Sequence, residues 1–136
     1  MNIPEIIDEN LLPPHGNRKG LSYGQLAVLL LTYIVSEADH RLCCLEKWVN
    51  DHHQSLSAIT GWNIAEKDAT DDRCGDLLKT IGMSHSETIP KMEISLSKHL
   101  IRAYELPTDK ARSDTTSFSV YHLYQFIFGM KIKLED

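Results

Sequence analysis

The sequence predicts a mainly helical chain: an N-terminal block of about five helices over residues 1–106, followed by a short β-hairpin in residues 107–136. Three observations carry this expectation. Apolar residues recur at helical spacing through residues 1–106. Proline, glycine and hydroxyl or acidic capping residues punctuate those periodic stretches where helices would start and stop. From Ala111 onward the period drops to two, the spacing of a strand.

In "IPEIIDENLL", Pro4 suits a first helical position, and Ile6, Ile7, Leu11 and Leu12 make a short apolar stripe. "PPHGNRKG" follows as a loop, because Pro13 and Pro14 remove donors while Gly16, Asn17 and Gly20 tolerate positive φ. Ser22 is the expected N-cap of the next helix, with Gln25 as its capping-box partner. That helix, "YGQLAVLLLTYIV", is apolar on nearly every side and belongs in the centre of the core. "EADH" ends it, and Leu42, Leu45, Trp48 and Val49 begin another helix that should pack back as a hairpin.

After a loop around Gly61 and Trp62, an Asp or Thr cap precedes Leu77, Leu78 and Ile81, and Gly82 is placed to end this fourth helix. The longest amphipathic helix is expected from Glu87 to Glu105. Its face is Ile89, Met92, Leu96, Leu100, Ala103 and Tyr104, and Pro107 stops it. Alternation then runs through Arg112, Asp114, Thr116, Phe118 and Val120. It resumes at Met130, Ile132 and Leu134, which could pair back on the first strand. Such a hairpin needs a cover for its apolar face.

At 136 residues, 42% hydrophobic and 24% charged, the chain has the size and composition of one ordinary globular domain. Its longest apolar run, Leu26 to Val35, is about half the length that crosses a bilayer, and no signal-peptide pattern precedes it. A cytoplasmic protein without a membrane partner is expected. Cys43, Cys44 and Cys74 are an odd count, so reduced thiols are the default. A net charge of −5 excludes a uniformly basic nucleic-acid surface and confines any such role to local patches. Arg18 and Lys19 in one loop, and Lys98 and Arg102 on the last helix, are the candidate DNA-binding residues, although such charges are usually just a solvated face.

Asp114 raises a chemical question, because it heads a strand face shared with Phe118 and Val120, where an ionised carboxylate is costly without a cation or donors. Either it is a solvated strand-end residue, or it is a metal ligand of the kind that holds Mg²⁺ for phosphoryl transfer. The segment "DTTSFSVYHLYQ" resembles the surroundings of the first catalytic aspartate in the DDE transposases of bacterial and archaeal insertion sequences. Upstream, "EIIDENLLPPHGNRKGLSYGQLAVLLL" resembles the helical region that precedes the ribonuclease H-like core in one group of them, and "DDRCGDLLKTIG" resembles a later helical segment of that group.

The three matches run in order over roughly residues 5–125. The resemblance implies that Asp114 is the first of three acids binding catalytic Mg²⁺, on the first strand of the core. It also implies DNA, as transposon terminal inverted repeats, for a partner, and a homo-oligomer or full-length transposase as a second. The family's second aspartate and its glutamate have no counterpart here, and His122 stands where glycine is expected. A truncated core, inactive alone and holding no Mg²⁺ itself, is the expectation.

"CCLEKWVNDHH" groups Cys43, Cys44, His52 and His53, which invites a zinc reading. Buried cysteines and exposed histidines in a following loop explain the same residues. A Cys74–His85 nucleophile pair has no supporting motif, and no phosphate loop, nucleophile elbow or HExxH is present.

Overall fold

The computed structural model describes residues 3–14, 16 and 19–108. Five helices are found among them: α1 (Ile3–Asn10), α2 (Tyr23–Glu37), α3 (Leu42–Thr60), α4 (Asp71–Gly82) and α5 (Thr88–Ala103). No strand occurs among the described residues. The expected hairpin, in residues 107–136, falls almost entirely outside them. No helix among the described residues is long and apolar enough to cross a membrane.

Helix α2 is central, packing on α1, α3 and α4. Its start is specified by the expected capping box: Gln25 N donates to Ser22 Oγ at 3.1 Å, and Ser22 N donates to Gln25 Oε1 at 3.0 Å. Leu26 and Leu29 of α2, Leu45 and Val49 of α3, and Cys74 and Leu77 of α4 are the largest fully buried side chains. Each buried leucine contributes about 2 kcal/mol of apolar transfer. The cluster therefore ties three helices together at one point.

Helix α1 crosses α2 so closely that a Cβ on Gly24 would lie 2.0 Å from Pro4 O. Gly24 N also donates to Asp8 Oδ1 at 2.7 Å, so a carboxylate from α1 meets an otherwise orphaned amide in the first turn of α2. Ile7 and Leu11 are buried as expected, but Leu12 is 80% exposed because the helix ends at Asn10 and its stripe is not continued.

A second tie joins the loop before α2 to the start of α4. Asp68 is buried, pairs with Arg73 and accepts from Ala65 N at 2.9 Å, while Arg73 Nη2 donates to Lys19 O at 3.1 Å. Gly20, at φ +107°, passes directly over this pair, and a Cβ there would strike the Asp68 carboxylate. Thr70 supplies the expected cap of α4, accepting from Arg73 N. Gly82 is the last residue of that helix but not a left-handed terminator; the C-cap is Met83 at φ −97°.

Helix α5 sits at the periphery, packed on α1, and buries no residue fully. Of its expected apolar face, Met92 reaches the core cluster, Ile89 and Leu96 are half-buried, and Leu100, Ala103 and Tyr104 are exposed.

Candidate functional site

A concavity lies at the elbow between α2 and α3, and local backbone geometry builds it. Helix α2 ends at Ala38, whose φ of 52° reverses the chain without a glycine. Asp39 then holds the turn: its carboxylate accepts from Arg41 N at 3.1 Å and from Arg41 Nε at 3.0 Å, and from the Tyr33 hydroxyl at 2.6 Å. Arg41 in turn is the N-cap of α3 and offers no side-chain cap of its own.

Aromatic rings complete the wall. Tyr33 and Trp48 meet edge to face with centroids 5.6 Å apart, and Trp48 lies 5.0 Å from the His52 ring. Trp48 Nε1 donates to Glu37 Oε1 at 2.9 Å, linking α3 back to the last turn of α2. The resulting cavity of about 860 Å³ opens to solvent and is lined by residues including Tyr33, Asp39, Arg41, Cys44, Lys47 and Trp48.

The electrostatics favour holding charge in place over transferring protons. Hydrogen bonds from the Arg41 guanidinium, and then from the Tyr33 hydroxyl, keep the Asp39 carboxyl well below the usual carboxylate range. The same contact to Asp39 pushes the Tyr33 phenol well above its ordinary value. Neither group is poised to exchange a proton near neutrality. The elbow is thus a braced concave surface carrying both signs of charge.

Of the residues singled out from sequence, Lys98 and Arg102 are exposed and lie one turn apart on α5, so they share a face. Lys91 on the same helix is engaged with Glu87 at 2.8 Å. Lys19 is also exposed, but its loop is clasped to α4 through Arg73, on a different element. Arg18 and Asp114 lie outside the described residues.

The zinc grouping is corrected in two respects. His52 and His53 stand within α3, not in a loop after it, and each ring Nδ1 lies against a backbone carbonyl of its own helix, Trp48 O at 2.8 Å and Asn50 O at 3.0 Å. Cys43 is exposed and Cys44 half-buried, so neither is the buried cysteine expected. The nine positions from Cys43 to His52 span roughly 13 Å of helix, which separates thiols from imidazoles. Among the described residues no group of three His, Cys, Asp or Glu side chains is placed to hold a metal ion. Cys74 is fully buried, where an attacking thiolate would have no access to a substrate.

Compared with protein-family models, with curated proteins and with solved structures, the chain gives no match. What it can do rests on its own residues.

The elbow was missed at the sequence level because "EADH" reads as a helix terminator and nothing more. A faint signal was present: Asp39-x-Arg41 directly after a helix end, with Tyr33 six positions before the acid, is a pattern that an Asx-type turn can close. The Asp68–Arg73 pair was missed for a different reason. Its burial comes from the Gly20 loop folding over it, a contact some fifty positions away in sequence.

Proposed function

We propose that this chain is the N-terminal portion of an insertion-sequence transposase, a helical domain joined to the start of a DDE catalytic core. The observation that carries the reading is the ordered run of three segments that resemble that family, "EIIDENLLPPHGNRKGLSYGQLAVLLL", "DDRCGDLLKTIG" and "DTTSFSVYHLYQ". The five-helix architecture of the described residues is compatible with a domain of that kind. In the complete enzyme, Mg²⁺ held by Asp114 and two further acids would support strand cleavage and transfer at element ends. Those two further acids have no match in this sequence, so under this reading the chain alone would lack a complete metal site and would not carry the reaction.

A second reading is a small helical module that binds DNA or protein and regulates transposition, by sharing sites or subunits with the full-length enzyme. It is favoured by the core that α1 to α4 assemble among themselves. Under either DNA-binding form, Lys98 and Arg102 on α5 and Arg18 and Lys19 before α2 supply the phosphate contacts, in the cytoplasm.

The test is the salt dependence of DNA binding by fluorescence anisotropy, for the wild-type chain and for Lys98→Ala/Arg102→Ala. Losing two phosphate contacts should lower the slope of log K against log salt by about 2. An unchanged slope would remove α5 from the interface.

A further inference from the structure

Two thiols stand side by side in the first turn of α3: Cys43 Sγ and Cys44 Sγ are 3.8 Å apart, with Cys43 exposed and Cys44 on the rim of the elbow cavity. We propose that Cys43 and Cys44 form a two-coordinate site for a soft monovalent metal ion, copper(I), independent of any role in transposition.

Several features of the site converge on that chemistry. The sulfurs are near enough for one ion to bridge both, and the ligand set is purely thiolate, which selects soft metals over Mg²⁺ or Ca²⁺. A structural zinc ion takes four ligands, and no third His, Cys, Asp or Glu among the described residues joins the pair. Copper(I) is satisfied by as few as two thiolates. The pair also sits among the first amides of a helix whose N-cap makes no side-chain hydrogen bond, but the contact with Cys44 raises the Cys43 thiol, so the sulfurs lose their protons as the ion binds. Arg41 adds a positive charge beside both sulfurs, which draws the Cys43 thiol downward against the stronger upward pull of its contact with Cys44.

Binding is a ligand exchange. Two S–H bonds give their protons to solvent, two Cu–S bonds form, and copper stays in the +1 state with no electron transferred. The first turn of α3 keeps its helical hydrogen bonds, because both thiols already face one another.

The test is anaerobic titration of the reduced full chain with copper(I) in competition with bicinchoninate, a chromophoric copper(I) chelator. One ion per chain is expected, and Cys43→Ser or Cys44→Ser alone should weaken binding by about a hundredfold, the gain that two tethered donors have over one. Helical circular dichroism should be unchanged in both variants, since Cys43 is exposed and Cys44 only partly buried against the core, and serine is close in size to cysteine. The double variant retains only Cys74 and sets the background. A single variant that holds copper as tightly as wild type, or a wild type no tighter than the double variant, would overturn the site. So would one ion shared between two chains.

Discussion

Gly24 has no room for a methyl group: the space is taken by the backbone of Pro4, which cannot swing aside as a side chain can. Gly24→Ala should cost about 1–3 kcal/mol in urea unfolding, the usual penalty of overpacking. Ala38 is the converse case, a left-handed residue that would prefer to be glycine. Ala38→Gly should stabilise the chain by about 0.5–1 kcal/mol. Arg73→Ala would leave the buried Asp68 carboxylate without its cation, and about 3 kcal/mol should be lost. At the elbow, the folded-state pKa of Asp39 is depressed, so its contribution is present above the ordinary carboxylate range and disappears as pH falls through that range and below. The Tyr33 pKa is raised, so its contribution is present below the ordinary phenol value and fades as pH rises past it. Tyr33→Phe should therefore flatten the alkaline limb of a stability–pH curve and soften the acid limb, as read by thermal melts across pH.

Helix boundaries were the most legible feature because they are written locally. Ser22 with Gln25, and Thr70 before α4, are short-range signals that no distant contact overrides. Ser22→Ala should cost about 1 kcal/mol. The elements whose faces depend on a partner were less legible. The stripe on α5 has a regular helical period, yet its last turn is exposed because α1, the helix it packs on, is only eight residues long. Burial follows the partner's length, which periodicity cannot report. Without a fully buried residue, α5 should also exchange its amide hydrogens faster than α2, by native-state hydrogen exchange. The elbow illegibility has the same origin at shorter range: Tyr33, Asp39 and Trp48 come together only once α2 and α3 are folded on each other.

Across the molecule, two separate devices hold the helices in one arrangement. The apolar cluster joins α1, α2, α3 and α4, with Ile7 and Leu11 contributed from the α1 side, while polar ties made by Asp8 and by the Asp68–Arg73 pair further fasten α1 and the loop before α2. The surface carries the functional proposals: a basic pair on α5, and two adjacent thiols at the start of α3, of which Cys44 lines the α2–α3 concavity. With a net charge of −5, the chain can hold DNA only if such local patches outweigh the overall repulsion from phosphate. That makes specificity the decisive property. The most direct measurement of the proposed transposase reading is a mobility-shift titration of the chain against DNA bearing the terminal inverted repeats that this reading predicts for its gene and against scrambled DNA, at two salt concentrations. Preferential binding to the repeats that persists at the higher salt is the expected result; equal binding to both DNAs, or none to either, would contradict a helical domain built to recognise transposon ends.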